Sequence, residues 1–177
     1  LDHAVAGVLF GIFSSSGESC IAGSRAFVHA SVYGEFKRRL LAGATALRVG
    51  DPADARTQMG PLINASHCAS VERYVQLGLA EGGTLLCGGA RLQPTVAAGT
   101  PQAGTPQAGA QQAVQGQPAL HLGSYYPPTI FEGLPNSAQV CREEIFGPVL
   151  ALLPWSDEAD LIAQCNDNDY GLACGIW

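Results

Sequence analysis

Residues 17–25 read Gly17-Glu18-Ser19-Cys20-Ile21-Ala22-Gly23-Ser24-Arg25, a short segment with one thiol at its centre and a glycine on either side. Before it, Leu1, Ala4, Val5, Val8, Leu9 and Ile12 recur at helical spacing and predict a largely buried helix over residues 2–13. Ser14-Ser15-Ser16-Gly17 breaks that helix. After it, Ala26 to His29 read as a short strand. Cys20 is thus expected in a loop between a buried helix and a strand. The glycines allow close backbone approach by a ligand. Small neighbours leave the thiol reachable, and Arg25 is near enough in sequence to favour a thiolate. On these residues alone, a reactive nucleophile and an inert buried cysteine both stay open.

Working outward, a second helix is predicted from about Ser31 to Ala46, with Tyr33, Phe36, Leu40, Ala44 and Leu47 on one face. Lys37-Arg38-Arg39 falls mostly on the other face and reads as a solvated surface. Val49-Gly50-Asp51-Pro52 and Met59-Gly60-Pro61-Leu62 are turns. A third helix is expected from Ala65 to Glu81, with Cys68, Val71, Val75 and Leu79 as its apolar stripe, ended by Gly82-Gly83. Thr84 to Cys87 is a short strand closed by Gly88-Gly89. Helix and strand alternate, which favours an α/β sheet with both faces covered.

Residues 92–123 differ in kind. Gly99-Thr100-Pro101-Gln102-Ala103 is repeated at once as Gly104-Thr105-Pro106-Gln107-Ala108, and no Asp, Glu, Lys or Arg stands between Arg91 and Glu132. This low-complexity stretch reads as a disordered surface insertion. Order is expected to return at Tyr125. Thr129-Ile130-Phe131 reads as a strand, and Glu143-Glu144-Ile145-Phe146-Gly147-Pro148 leads into an apolar strand from Val149 to Leu153. Ser156 is the expected N-cap of a helix with Asp157 and Glu158 in its first turn. A loop from Asn166 to Tyr170 precedes an apolar run, Leu172 to Trp177, that reads as a buried strand or its approach. The expected layout is therefore an ordered segment over 1–91, the insertion over 92–123, and a second ordered segment over 124–177. Because the chain starts at Leu1 and stops inside that apolar run, it is expected to be an internal segment of a longer protein.

Of the 177 residues, 47% are hydrophobic and 14% charged, enough apolar material for a core. The net charge is −6, with 9 Lys and Arg against 15 Asp and Glu, and no basic run exceeds Lys37-Arg38-Arg39, so nucleic acid is not an expected partner. No apolar run approaches the roughly 18 residues of a membrane span, and no signal-peptide pattern is read at the first residues. The six Cys are irregularly spaced with no CxxC pair. Neither a disulfide framework nor a zinc site is expected, and a reduced, cytoplasmic setting is.

Glu143 and Glu144 are adjacent acids, and in an extended segment they face opposite ways. One is then free for a ligand hydroxyl, and Phe146 can stack on a flat ring. His3, His29, His67 and His121 are scattered and read as surface or packing residues.

Gly17 to Arg25 resembles the active-site Cys motif of the NAD(P)-dependent aldehyde dehydrogenase superfamily, and Glu143 to Val149 resembles its second signature. Gly50-Asp51-Pro52, Gly60-Pro61-Leu62-Ile63, Gly88-Gly89, Pro128-Thr129 and Asn166 with Tyr170-Gly171-Leu172-Ala173 fall in the family's order. The resemblance covers the chain except residues 92–123. It implies an aldehyde-dehydrogenase-like α/β catalytic domain, mostly parallel sheet with flanking helices, incomplete in this chain.

By the same resemblance, Cys20 matches the catalytic nucleophile. Glu144 matches the carboxylate on the nicotinamide-side ribose, and Phe146 the aromatic beside it. Asn166 matches an Asn that shapes the site near the nucleophile. The implied reaction is oxidation of a small-molecule aldehyde to a carboxylic acid with NAD or NADP, through a Cys thiohemiacetal and a thioester. The Cys20 backbone N–H would be one oxyanion donor. The family's general-base Glu, its oxyanion Asn and most of its dinucleotide-binding strands lie upstream of Leu1, and its oligomerisation strands lie downstream. This chain alone is therefore expected to be inactive, and the full-length protein to be a homodimer or homotetramer with no nucleic-acid or membrane partner. A coenzyme A-acylating dehydrogenase and an inactive member with a binding or structural role are the alternatives. Glu18 stands where the family usually carries Gln. Such an acid raises the Cys20 pKa if it faces the thiol and changes little if it faces away.

Overall fold

The computed structural model describes residues 1–93 and 123–177. Five helices and four strands follow in the order α1 (Asp2–Phe13), β1 (Arg25–His29), α2 (Ala30–Ala46), α3 (Ala65–Ala80), β2 (Thr84–Cys87), β3 (Thr129–Glu132), α4 (Gln139–Arg142), β4 (Val149–Trp155) and α5 (Glu158–Asn166). A short 3-10 turn, Ser14–Gly17, joins the end of α1 to the Cys20 loop.

The strands form one sheet in the order β1-β4-β3-β2. β4 pairs in parallel with β1 on one side and β3 on the other, and β2 closes the edge antiparallel to β3. The sheet is thus mostly parallel, and it draws strands from both sides of the low-complexity stretch. Parallel strands covered on both faces read as continuous apolar runs, and the five residues of β4 from Val149 to Leu153 are all buried. Leu150 and Leu152 join Ile130 against Ile12, Phe36, Leu40 and Ala44 of α1 and α2. Val149, Ala151 and Leu153 join Phe131 against Val71 and Val75 of α3 and Val140 of α4. Alternation along each strand divides the sheet residues between two cores.

Local chemistry sets the helix starts. Asn64 Oδ1 accepts the His67 N–H at 2.8 Å to cap α3, and Asp157 Oδ1 accepts the Asp160 N–H at 2.8 Å to cap α5. The cap of α5 is therefore Asp157, one residue beyond the expected Ser156, because its carboxylate reaches the free N–H of the first turn. The buried row of α3 is Cys68, Val71, Val75 and Gly78. Leu79, expected in that row, is exposed, because the Phe131 ring fills the space over Gly78: a Cβ there would lie 3.0 Å from its Cζ. The basic trio is paired within the chain. Lys37 Nζ meets Glu132 at 2.8 Å, and Arg38 and Arg39 both bond Glu35.

The expected insertion falls mostly outside the described residues. Leu92, placed in it by sequence, packs instead against the α1–α2 core, and its N–H donates to Tyr125 O at 3.0 Å. The chain therefore leaves the described structure and returns to it at neighbouring points. Residues 172–177 form no strand, and Leu172, Ile176 and Trp177 are exposed. The apolar run found no sheet neighbour among the described residues, although the Trp177 indole lies over Gly7 of α1. No helix among the described residues is long and apolar enough to cross a membrane.

Candidate active site

The chain reaches Cys20 through a left-handed turn. Ser15, Ser16 and Gly17 have φ of 51°, 57° and 72°. A left-handed L-residue costs about 1–2 kcal/mol, so two serines there must be held by their surroundings. Ser16 is buried and its Oγ donates to Gly60 O at 2.9 Å. Gly17 needs the absence of a side chain as well as its φ: a Cβ would lie 2.3 Å from Gly147 O and 2.8 Å from Pro148 N. The backbone before the thiol is thus seated directly on the backbone of the second motif. Glu18 follows, and its Oε1 accepts the Ile63 N–H at 3.0 Å.

The Ala22 N–H donates to Ser19 O at 3.0 Å, which closes a tight turn with exposed Cys20 as its second residue. Among the described residues no acceptor takes the Cys20 backbone N–H. The Gly23 N–H ties the loop back to Gly11 O at 3.1 Å. Arg25, expected to favour a thiolate at Cys20, is engaged elsewhere. Its guanidinium donates to Asn136 Oδ1 at 2.7 Å and to the carbonyls of Gln164 and Cys165 at 3.2 and 3.3 Å. It fastens the start of β1 to the end of α5.

The two adjacent acids separate as an extended backbone requires. Glu143 is half-buried and accepts hydrogen bonds from Gln139 Nε2 and, at 2.7 Å, from the Tyr74 hydroxyl. These donors hold its carboxyl below the usual range. Glu144 is exposed, and its carboxylate has no hydrogen bond or ion pair among the described residues. Ile145 is buried and Phe146 is 39% exposed. Glu144 and Phe146 therefore share the outer side of the segment, a free acceptor beside an open aromatic ring. A cleft of about 340 Å³ lined by Glu81, Ser137, Gln139, Arg142, Glu143, Asp169 and Tyr170 lies on the Glu143 side and contains no cysteine.

Phe146 also has a left-handed φ, 57°. His67, read from sequence as a surface or packing residue, lies against it. His67 Nε2 is 2.6 Å from Phe146 O and 3.5 Å from Glu18 Oε1, and the two rings meet edge-on with centroids 6.2 Å apart. A nitrogen that close to a carbonyl oxygen carries the proton, so Nε2–H donates to Phe146 O. A net hydrogen bond of about 0.5–1.5 kcal/mol is the size of the strain in one left-handed residue. Glu18 faces Ile63 and His67 in these contacts. Nothing in the spacing of the histidines singles out His67; its place follows from the Asn64 cap, which fixes where α3 begins.

The fourth expected residue stands apart. Asn166 is the last residue of α5, exposed, with its Nδ2 donating to Ile162 O at 2.8 Å on its own helix. No hydrogen bond links it to the Cys20 loop, Glu144 or Phe146. Among the other thiols, burial pushes Cys87 and Cys141 up to about 11 and raises Cys68 and Cys165. Cys174 is exposed, so Cys20 and Cys174 are the two open thiols of six, all of them free. Among the described residues no cluster of His, Cys, Asp or Glu forms a metal site.

The chain and its mostly parallel α/β fold match known proteins. The profile of the aldehyde dehydrogenase family matches residues 1–105 and 101–177. The chain belongs to the aldehyde dehydrogenase family. It is 38% identical over 177 residues to the betaine aldehyde dehydrogenase of Brucella ovis and covers 32% of that protein. The solved NAD+ complex of an aldehyde dehydrogenase from Bacillus cereus matches 99% of this chain with a TM-score of 0.81 at 31% identity, over 30% of its own length. An NAD-dependent aldehyde dehydrogenase from Sinorhizobium meliloti matches 97% of this chain with a TM-score of 0.79 at 31% identity, over 29% of its own length. The chain thus spans about a third of the length of the curated relatives it matches.

Proposed function

We propose that this chain is the nucleophile-bearing part of an NAD(P)-dependent aldehyde dehydrogenase that oxidises an aldehyde to a carboxylic acid. One observation carries the reading. The loop that exposes Cys20 rests, through Gly17, on the backbone of the segment that exposes Glu144 and Phe146. A nucleophile and a free acid–aromatic pair are thereby held in one rigid arrangement.

The residues fit the ribose–nicotinamide half of the cofactor. Glu144 has an unengaged carboxylate to accept from the two ribose hydroxyls, and Phe146 offers an open face beside a flat ring. The NAD+ complex of the Bacillus cereus relative supports this cofactor class. When bound, the nicotinamide supplies the two-electron oxidation.

The chain's own residues do the rest. The Cys20 thiolate adds to the aldehyde carbon and forms a thiohemiacetal. The free Cys20 N–H donates to the oxygen that gains charge. After oxidation, Cys20 carries the acyl group as a thioester, and it leaves as a thiolate when water attacks. The resemblance puts the base for that water, and the oxyanion Asn, upstream of Leu1. Asn166 is proposed to shape the site through the end of α5, which Arg25 fastens to β1. A homodimer or homotetramer and a cytoplasmic setting complete the reading; six free thiols support the reduced compartment.

The test is aldehyde-dependent formation of NADH or NADPH by the protein at the length its source makes it. The wild type turns over, and Cys20→Ala loses activity by at least about 1,000-fold while keeping its circular dichroism spectrum. Retained turnover in Cys20→Ala refutes the nucleophile assignment.

A further inference from the structure

We infer that His67 is a positioning residue: it holds Phe146 in its left-handed conformation and thereby sets cofactor affinity. The inference rests on the assignment of Phe146 and Glu144 to the cofactor. Three observations converge on this imidazole. Its Nε2–H donates to Phe146 O at 2.6 Å. Its ring meets the Phe146 ring edge-on. The Glu18 carboxylate stands 3.5 Å from the same nitrogen and is itself fixed by the Ile63 N–H.

Phe146 is a bulky residue at φ 57°, a conformation it keeps only where the surroundings impose it. Its flanks are fixed by buried Ile145 and by Gly147, whose position a Cβ would drive into Val71. Among the described residues the carbonyl of Phe146 accepts from His67 alone. His67 is in turn placed by the first turn of α3, where its own N–H donates to Asn64 Oδ1. The cap of one helix is thus transmitted to the exposed ring two motifs away. Glu18, two residues before Cys20, lies beside the same imidazole.

A donor at the reach of Nε2 is what the geometry requires. Glutamine supplies an amide N–H at that reach; asparagine is too short, and alanine has no donor. The experiment compares His67→Ala, His67→Asn and His67→Gln in the full-length protein. It measures the dissociation constant for NADH by fluorescence titration and the KM and kcat with aldehyde. His67→Ala and His67→Asn weaken NADH binding and raise the cofactor KM by about 3- to 10-fold, with kcat changed less. His67→Gln returns both to within about twofold of wild type. Equal affinities in wild type and His67→Ala overturn the inference alone, as does a His67→Gln variant no better than His67→Ala. A loss confined to kcat also overturns it. A wild type that binds neither NADH nor NADPH overturns the proposed function and this inference with it.

Discussion

Cys20 and the thiols around it separate by burial. Cys68, Cys87 and Cys141 sit in or against the two cores, and Cys165 is half-buried; in all four the charged thiolate is desolvated. At about pH 8, a thiol pushed up to about 11, as in Cys87 and Cys141, holds about 100-fold less thiolate than one at its ordinary value. Iodoacetamide is therefore expected to label the two exposed thiols, Cys20 and Cys174, ahead of the other four. Cys87 and Cys141 react about 100-fold more slowly or worse, and their rates climb as pH rises towards 11. Peptide mapping by mass spectrometry checks the order, and equal labelling of all six in the folded protein contradicts it. Glu143 and Glu144 make the same point for acids. Their division of labour was legible from the alternation of an extended chain, and Tyr74 and Gln139 explain which acid is engaged. His67 was not legible, because its role depends on residues 49 and 79 positions away in sequence (Glu18 and Phe146).

The elements around the site were readable wherever periodicity was strong. α1, α2, α3 and all four strands fall within a few residues of expectation, since all but β2 bury apolar residues in a regular row and β2 is bounded by glycine pairs. What failed to show were features set by neighbours. Gly78 is buried in place of Leu79 because Phe131 occupies that space. The left-handed run at Ser15 and Ser16 gave no signal, because serine is not a residue that favours positive φ. The two glycines flanking Cys20 looked equivalent, yet the structure separates them. Gly17 is left-handed and touches Gly147, whereas a Cβ on Gly23 meets nothing within 4 Å. Gly17→Ala is expected to cost at least about 2 kcal/mol and to weaken cofactor binding, because it must push the two motifs apart. Gly23→Ala is expected to stay within about 0.5 kcal/mol of wild type. Urea unfolding midpoints of the two variants give the comparison, and equal midpoints contradict the close approach.

At the scale of the whole molecule, the sheet is the frame that brings two distant stretches together. β4 lies between β1 and β3, so the segment leading into β4 arrives beside the loop leading into β1. Open α/β sheets usually bind ligands outside the carboxyl ends of their strands, whereas the candidate residues here stand at the amino ends of β1 and β4. Here the loops before two parallel neighbours carry Cys20 and the Glu144–Phe146 pair. The sequence order of the two motifs was evident, but their contact was not, because the strand order that creates it is a property of the assembled sheet. In the proposed reaction the Cys20 Sγ takes up the substrate. That uptake is tested most directly by quenching the full-length protein in acid during turnover with an aldehyde and NAD(P)+, digesting with trypsin, and weighing the peptide that ends at Arg25. This peptide is expected to gain the mass of the acyl group at Cys20, and the gain to vanish in Cys20→Ala. Turnover with no acyl group on that peptide, or with the group on another cysteine, would contradict it.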